Sequence, residues 1–328
     1  MPQSALRVKQ FFERIWEQKG HPAWILSPLS LIYQTGWRGY LATYQLGLKI
    51  RYRPTVPTVC VGNCTAGGSG KTPFTLYLAE NLVTRGHNVV VSTSGYGSPH
   101  YSGATLAPDG PLDVRQWGDE STMFRELLPD TPLIVGHSRV QTAKIAEDGF
   151  PDHILVMDDG FQHLPLEPWI SLVIEPHLEN DFCFPAGPYR EPPGLGAKRA
   201  SRVLTYDRDI HPLPLTVRTP DGVTLPKGPV QVLCAIAHPQ RLIDSLALAG
   251  YPSKRAVTLT DHDPMDAGNL LERFEPGIPL AVTAKDYVKL KHHPDLARFL
   301  TALVDYRVAP REPDEFFQWL EHKIQELR

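Results

Sequence analysis

Gly62-Asn-Cys-Thr-Ala-Gly-Gly-Ser-Gly-Lys-Thr-Pro73 is the stretch of sequence that decides the fold. A short β-branched run, residues 58–61, precedes it, and a helical pattern follows over residues 72–85, with Pro73 in the first turn. A strand, a glycine-rich loop and a helix in this order predict a loop whose backbone N–H groups bind phosphate. The strict phosphate-binding loop pattern, G-x4-G-K-T, has glycine at position 65, where this chain has Thr65.

The loop therefore predicts nucleotide binding. Lys71 is expected to reach the β- and γ-phosphates, and the Thr72 hydroxyl is expected to bind Mg²⁺. The predicted nucleotide contacts are Thr65, Ala66, Gly67, Gly68, Ser69, Gly70, Lys71 and Thr72.

A second candidate site follows the apolar run at residues 154–157, where Asp158 and Asp159 precede Gly-Phe-Gln-His163. P-loop enzymes place a magnesium-organising carboxylate at such a strand end. Asp-Asp-Gly is also a common turn, so turn chemistry is the alternative. The glycine-rich loop in the same chain favours the metal-binding interpretation, and both Asp158 and Asp159 are predicted ligands.

Short apolar runs alternate with helical patterns through the following part of the chain. Strands are predicted at 89–91, 133–135, 154–157, 171–174 and 203–206, and helices at 121–128 and 140–147. This alternation predicts a P-loop NTPase-like α/β fold, with a mostly parallel sheet covered by helices on both faces. Ligands are then expected beyond the carboxyl ends of the strands.

A Pro- and Gly-rich stretch, residues 211–229, precedes a second alternation of strands and helices. The predicted domains are an N-terminal segment (1–57), a P-loop core (58–228) and a smaller C-terminal α/β domain (229–328) that closes over the nucleotide. In the last domain, strands are predicted at 230–235, 256–259, 280–282 and 306–308, and helices at 240–249, 286–291 and 312–326.

Composition excludes several classes of protein. The 328 residues are 42% hydrophobic and 21% charged, which is ordinary for a folded protein and unlike collagen or a long coiled coil. A net charge of −3 argues against a nucleic-acid binder with a general basic surface. Four cysteines without a CxxC pair argue against a disulfide scaffold and favour a reducing cytoplasm.

Charge is unevenly distributed along the chain. Residues 1–57 carry eight Lys/Arg against two glutamates, a net of +6, whereas the remainder carries 25 basic and 34 acidic residues, a net of −9. The charges among the first 20 residues are unlike the apolar run of a signal peptide, so export is not expected.

An aromatic stripe lies in the same segment, because Tyr33, Trp37, Tyr40 and Tyr44 recur at helical spacing. Prolines and polar residues interrupt the uncharged stretch at residues 20–37, which argues against a membrane span. The stripe and its basic flanks predict an amphipathic helix on an anionic membrane surface. The alternative is a helix that packs its aromatic face on its own domain.

Six motifs resemble the tetraacyldisaccharide 4'-kinase (lipid A 4'-kinase) family. They are VGNCTAGGSGKTP at 61–73, GDE at 118–120, DDGFQH at 158–163, FPAGPYRE at 184–191, DH at 261–262 and TAKDYVK at 283–289. The resemblance implies a kinase that uses ATP and Mg²⁺ to phosphorylate the 4'-hydroxyl of a tetraacyldisaccharide 1-phosphate in lipid A biosynthesis. It also implies a lipid-linked disaccharide substrate, a location at the cytoplasmic face of the bacterial inner membrane and no obligate protein partner.

The resemblance also implies residue roles. Asp119 corresponds to the family's catalytic aspartate, and His262 corresponds to the histidine that cooperates with it. Asp158 and Asp159 correspond to the carboxylates of the metal site. Arg190 and Glu191 correspond to substrate-binding residues, the arginine for a phosphate and the glutamate for a substrate hydroxyl.

Three positions depart from the family pattern. Ser94 stands where SRGYG has arginine, Ser121 where GDEP has proline, and Ala284 where TEKD has glutamate. These departures concern affinity and substrate preference rather than reaction type. Two alternatives stay open at this point, a soluble small-molecule kinase and a membrane-anchored nucleotide-switch ATPase.

Overall fold

The computed structural model describes residues 15–16 and 19–328. In chain order its elements are α1 (His21–Gln45), β1 (Thr58–Gly62), α2 (Lys71–Thr84), β2 (Val89–Thr93), β3 (Thr105–Leu106), α3 (Val114–Trp117), α4 (Asp119–Leu127), β4 (Leu133–Val135), α5 (Arg139–Gly149), β5 (Ile154–Asp158), β6 (Ile170–Glu175), α6 (Leu195–Arg199), β7 (Arg202–Thr205), β8 (Ile210–Pro212), β9 (Thr216–Arg218), β10 (Val230–Cys234), α7 (Pro239–Leu248), β11 (Ser253–Thr258), β12 (Leu280–Thr283), α8 (Ala284–Leu290), β13 (Thr301–Asp305), β14 (Val308–Pro310) and α9 (Pro313–Leu327). Short 3₁₀ helices lie at Pro99–Ser102, Leu271–Arg273 and Pro294–Arg298.

The chain divides into two compact units, each made of segments that are distant in sequence. The first unit contains the described residues up to Thr75 together with Ala146–His211 and Pro310–Arg328. The second contains Leu76–Ile145 and Pro212–Ala309. The sequence predicts linear boundaries after residues 57 and 228 instead, because local patterns do not reveal which distant segments pack together.

In the first unit, β1 pairs in parallel with β5 on one side and with β6 on the other, and β6 pairs in parallel with β7. All residues of β1 and β5 are buried, which is typical of a parallel sheet covered on both faces. Val61 lies opposite Asp158 in the register. The glycine-rich loop and the paired carboxylates therefore leave the sheet at neighbouring carboxyl ends.

The second unit contains a five-stranded sheet in the order β11-β10-β12-β13-β9, parallel except for β9. Successive residues of β10 alternate between two apolar clusters, with Val232 in one and Leu233 in the other. β2 and β4 pair in parallel in the same unit, and β3 pairs with β4 in antiparallel fashion. The mostly parallel α/β architecture predicted from the sequence is confirmed.

One predicted strand, at residues 306–308, was wrong. Strand β13 ends at Asp305, and β14 begins only at Val308, so the predicted range falls largely between two strands. The signal of β13 is weak in the sequence because polar residues stand at both of its ends, whereas Ala302 and Val304 inside it are buried.

Within the aromatic stripe of α1, Tyr33 packs on its own unit. The Tyr33 hydroxyl donates a hydrogen bond to the Arg190 carbonyl oxygen (2.7 Å), and the Tyr33 ring lies edge-on to Phe184, with ring centroids 5.8 Å apart. Tyr40 and Tyr44 contact each other in the same edge-on manner. Tyr33, Trp37, Tyr40 and Tyr44 are all half-buried.

Another face of α1 is aliphatic and exposed. Ile25, Leu29 and Ile32 follow one another at helical spacing, and each exposes more than half of its surface: 77%, 53% and 69%. The sequence prediction put the aromatic stripe forward for lipid contact and missed this face. No helix among residues 15–16 and 19–328 is long and apolar enough to cross a membrane. Of the cations counted at the N-terminus, Arg7, Lys9 and Arg14 lie outside the described residues, as do Glu13 and Glu17.

The close approach of Gly62 to Phe161 generates a stability prediction. A Cβ atom on Gly62 would lie 2.4 Å from the Phe161 Cβ, so Gly62→Ala should force the two strand ends apart. We expect a loss of about 1–3 kcal/mol in the free energy of unfolding, measured by urea denaturation.

Gly39→Ala is the matched control, because a Cβ there meets no atom within 4 Å inside α1. It should be neutral or stabilise the protein by up to about 1 kcal/mol. A Gly62→Ala protein as stable as the parent would contradict the proposed contact.

Candidate active site

A buried amide organises the loop between β1 and α2. Asn63 is fully buried, and its Nδ2 donates hydrogen bonds to Thr65 Oγ1 (3.1 Å) and Ser69 Oγ (2.8 Å). Its Oδ1 accepts a hydrogen bond from Lys71 Nζ at 2.9 Å. Gly67 and Gly70 adopt φ angles of 95° and 76°, which favour glycine. Asn63 thus holds both the loop and the lysine, a role that sequence reasoning missed although the residue directly follows the strand.

The two aspartates after β5 occupy different environments. Asp158 is buried, and its two carboxylate oxygens accept hydrogen bonds from Thr72 Oγ1 (2.8 Å) and Thr75 Oγ1 (2.9 Å). The Asp159 side chain is 45% exposed, and its Oδ1 lies 3.4 Å from Lys71 Nζ. Its backbone is left-handed, with φ 51°, a conformation that aspartate tolerates better than most residues. The structure therefore places Asp158 against Thr72 and Thr75, and Asp159 beside Lys71.

Mg²⁺ prefers oxygen ligands and is usually held by one or two protein groups, with water and phosphate completing its octahedron. The Thr72 hydroxyl and the Asp158 carboxylate fit this donor set. Among residues 15–16 and 19–328, no group of three or more His, Cys, Asp or Glu side chains is arranged to hold a metal ion.

Arg190 and Glu191 contact the protein rather than open solvent. Arg190 donates from Nε and Nη2 to the Thr65 carbonyl oxygen (3.0 and 2.7 Å) and from Nη2 to Asn63 Oδ1 (3.0 Å). Glu191 is fully buried; it accepts a hydrogen bond from Gln162 Nε2 (3.2 Å) and forms an ion pair with Arg199. The substrate-binding roles expected for this pair stay predictions. The contacts of Arg190 favour a role in holding the phosphate-binding loop.

In the second unit, Asp119 and His262 lie together. Asp119 is the first residue of α4 and is 7% exposed. His262 follows β11 in a left-handed conformation with φ 62°, and its Nδ1 lies 3.0 Å from Asp119 Oδ2 and 3.2 Å from Oδ1. The Tyr96 ring covers the imidazole, with centroids 4.8 Å apart. The structure thus joins two residues that are 143 positions apart in sequence.

Two lysines of α8 complete this cluster. Lys285 Nζ lies 3.8 Å from Asp119 Oδ2, 3.6 Å from Glu120 Oε1 and 3.1 Å from Asp261 Oδ1. Lys289 Nζ lies 3.6 Å from Asp119 Oδ2. The structure thus surrounds Lys285 with carboxylates. The sequence motif contains Lys289, but sequence reasoning assigned it no role.

Charges and burial compete at Asp119. Burial alone would raise the pKa of this carboxyl, but the hydrogen bond from His262 and the charges of Lys285, His262 and Lys289 lower it to about 2. Burial would likewise lower the pKa of Lys285, but Glu120, Asp119 and Asp261 raise it above its ordinary value. Asp119 is therefore held as a carboxylate throughout the neutral range.

A cavity of about 630 Å³ opens beside this cluster. Its lining includes Asp119, His262, Lys289, Tyr96 and Arg115, all in the second unit. Small-molecule sites usually measure about 300–1,000 Å³, so the cavity has room for a sugar-sized ligand next to the Asp119 carboxylate.

Of the three departures from the family pattern, Ser121 is accommodated by a buried hydrogen bond. Its hydroxyl lies 2.7 Å from Thr93 Oγ1. Ser94 Oγ accepts a hydrogen bond from the Tyr96 backbone N–H (3.3 Å), and Ala284 is the first residue of α8. The replacements at 94 and 121 thus take part in local hydrogen bonds that hold the Tyr96 loop and α4.

Comparisons with known proteins agree on one family. A family model described as Tetraacyldisaccharide-1-P 4'-kinase matches residues 22–325. The Tetraacyldisaccharide 4'-kinase of Aeromonas hydrophila is 33% identical over 297 residues, covering 85% of this chain and 87% of that protein. The protein of the same name from Shewanella oneidensis is 35% identical over 307 residues, covering 87% and 88%. The crystal structure of LpxK from Aquifex aeolicus in complex with ATP matches with a TM-score of 0.76 at 20% identity, covering 92% of this chain and 99% of that one, and it supports the fold.

The lowered pKa of Asp119 predicts how stability depends on pH. An exposed aspartate titrates near pH 3.9, so this group stabilises the fold above that pH, and the contribution is lost as pH falls toward about 2. The gap in unfolding free energy between the parent and Asp119→Asn should narrow by about 1 kcal/mol from pH 5 to pH 3.

Urea denaturation at several pH values measures this gap. Asp109→Asn, at an exposed position of the same unit, corrects for the loss of one negative charge. A gap between the parent and Asp119→Asn that stays constant over this range would contradict the electrostatic assignment.

Proposed function

The chain belongs to the tetraacyldisaccharide-1-P 4'-kinase family, and we propose that it transfers the γ-phosphate of ATP to the 4'-hydroxyl of a tetraacyldisaccharide 1-phosphate in lipid A biosynthesis. The observation that carries this proposal is the loop at 62–72, with Lys71 and Thr72 beside the two aspartates, in a chain that the family matches over residues 22–325. The named relatives in Aeromonas and Shewanella support the same activity.

Lys71 is proposed to stabilise the phosphate that is transferred. Its ammonium contacts Asn63 and Asp159, so it is already aligned at the end of the loop. Charge develops on the migrating phosphoryl group in the transition state, and a cation fixed at that position lowers the barrier. The departure at Thr65 is compatible with this role, because the Thr65 hydroxyl accepts a hydrogen bond from Asn63 inside the loop.

Thr72 and Asp158 are the proposed Mg²⁺ ligands, with Asp159 close to the lysine. These two oxygen groups would hold Mg²⁺, which when bound would supply positive charge against the phosphates. Asp158 is the better candidate for the metal because its carboxylate is oriented by two threonine hydroxyls. The exposed Asp159 is better placed to orient Lys71.

Asp119 is proposed to accept the proton of the sugar hydroxyl, in partnership with His262. The hydroxyl oxygen forms its bond to the γ-phosphorus while the bond to the β-bridging oxygen breaks and ADP leaves. The proton passes to the Asp119–His262 pair. The low pKa of Asp119 keeps the carboxylate ionised and able to accept a hydrogen bond from the hydroxyl at every working pH.

Membrane contact is proposed for α1, because the acceptor is a lipid. The exposed face of Ile25, Leu29 and Ile32 supplies apolar area, and Arg38, Lys49 and Arg53 are exposed cations on or after the same helix. Such a surface suits peripheral binding at an anionic leaflet, here the cytoplasmic face of the inner membrane. The same face argues against a soluble small-molecule kinase, and the cavity beside Asp119 argues against a nucleotide switch without an acceptor.

The direct test uses γ-labelled ATP, Mg²⁺ and tetraacyldisaccharide 1-phosphate in detergent, with the labelled lipid as readout. Lys71→Ala should lower the transfer rate at least about 100-fold, because the migrating phosphoryl group loses its main side-chain partner. Lys198→Ala, at an exposed position of the same unit, is the control and should transfer normally. Near-parental turnover by Lys71→Ala would remove this loop from the chemistry.

Vesicle sedimentation tests the membrane surface. The triple variant Ile25→Ser, Leu29→Ser, Ile32→Ser should bind anionic vesicles at least about tenfold more weakly, because burial of aliphatic side chains contributes to interfacial binding. High salt should release part of the parent protein, since each cation near the surface contributes about 1 kcal/mol. Leu248→Ser removes a fully exposed leucine of the second unit as a control. Unchanged binding by the triple variant would show that the anchor lies elsewhere.

A further inference from the structure

Helix α8 carries a buried lysine that the proposed chemistry does not use. Lys289 is 4% exposed at its side chain, although it carries a charge. Burying a cation is costly unless the protein pairs it and satisfies its donors. The contacts of Lys289 therefore show what the fold holds it for.

Three oxygens from three different segments surround the Lys289 ammonium. Asp286 Oδ1, one turn earlier on α8, lies at 3.1 Å, and Asp119 Oδ2, at the start of α4, lies at 3.6 Å. The ammonium also donates a hydrogen bond to the Asp263 carbonyl oxygen at 3.0 Å. Asp263 directly follows His262, so one cation contacts the carboxylate of the pair and the backbone next to its imidazole.

Asp286 anchors this cation to the sheet. The residue is fully buried, and its Oδ2 accepts hydrogen bonds from the Ala235 backbone N–H (3.2 Å), just beyond β10, and from Thr283 Oγ1 (2.8 Å). The chain of contacts thus runs from the end of β10 through Asp286 and Lys289 to the Asp119 carboxylate and to the Asp263 carbonyl, which directly follows His262. Every link lies in the second unit.

We propose that Lys289 is a positioning residue for phosphoryl transfer: it fixes the Asp119 carboxylate and the His262 backbone in the mutual geometry that proton removal requires. The proposal rests on the function proposed for Asp119. His262 has a left-handed backbone, a conformation that persists only when the surrounding structure stabilises it. The hydrogen bond from Lys289 Nζ to the carbonyl oxygen of the next residue, Asp263, contributes to this stabilisation. The charge of Lys289 also helps keep Asp119 ionised.

Lys285 differs in a way that separates the two lysines. Its ammonium contacts three carboxylates, those of Asp261, Glu120 and Asp119, and lies 3.4 Å from His262 Nε2. These four contacts are all to side chains, whereas the Lys289 ammonium also binds a backbone carbonyl of the loop that follows His262. Lys289 is therefore the lysine that links α4 to the backbone of that loop.

The test measures kcat and the KM for ATP in Lys289→Met and Lys289→Arg. Lys289→Met should lower kcat about 10- to 100-fold with the KM for ATP changed less than about twofold, because a small misplacement of the base slows chemistry without touching the nucleotide loop. Lys289→Arg keeps the charge and a donor and should recover most of the rate. Lys291→Met is the matched control, since Lys291, directly after α8, pairs with Glu126 of α4, away from the Asp119 carboxylate. It should keep kcat within about twofold of the parent.

A double variant separates positioning from general stability. In an Asp119→Asn background, Lys289→Met should slow the residual rate less than about threefold, because the group through which it acts is already gone. If Lys289→Met lowers kcat by the same factor in the parent and in the Asp119→Asn background, or leaves the parental kcat unchanged, the proposal is overturned. Should Lys289→Met fail to fold, as judged by thermal denaturation, Lys289→Gln replaces it under the same expectations. An Asp119→Asn enzyme with parental kcat would instead contradict the role of Asp119 itself, so the two failures are distinguishable.

Discussion

A carboxylate buried at the start of α4 is the constraint on which the candidate active site depends. Asp119 is 7% exposed, and burial by itself would favour its neutral form. An imidazole from the loop after β11 and two ammonium groups from α8 contact the carboxylate and stabilise its charged form. Because these elements join the carboxylate by charge, the positions of α4, α8 and the His262 loop are coupled. A carboxylate held in this way is ionised and oriented before any substrate arrives.

The nucleotide loop is organised around a neutral side chain. A buried amide, Asn63, gathers the hydroxyls of the loop, the Lys71 ammonium and the Arg190 guanidinium. The Asp158 carboxylate is oriented by hydrogen bonds from the Thr72 and Thr75 hydroxyls. Asp119 is contacted by an imidazole and two ammonium groups, whereas Asp158 accepts hydrogen bonds from two hydroxyls. In the proposed function, the first carboxylate accepts the proton and the second binds the metal.

Local signals predicted those parts of the site that lie within one strand, loop and helix. The strand predicted at 58–61 and the helix predicted at 72–85 match β1 and α2 within one residue at each end, and the carboxylates after 154–157 follow β5. The partners of Asp119 depend on tertiary packing, and no periodicity places Lys289 beside a residue 170 positions earlier. For α1, helical spacing identified an aromatic stripe, but the choice between lipid and protein contact depended on Phe184 and Arg190, which are distant in sequence. Sequence patterns show which faces exist, and only packing decides what covers them.

The central claim is that Asp119 and His262 act as one unit in phosphoryl transfer. The most direct measurement is kcat for Asp119→Ala, His262→Ala and the double variant, with the labelled lipid as readout and ATP binding measured separately. Asp119→Ala should lower kcat about 10²- to 10⁴-fold while ATP binding survives. The double variant should lose less than the product of the two single losses, because groups that act together are non-additive. Fully multiplicative losses, or an Asp119→Ala enzyme with unchanged kcat, would contradict the claim.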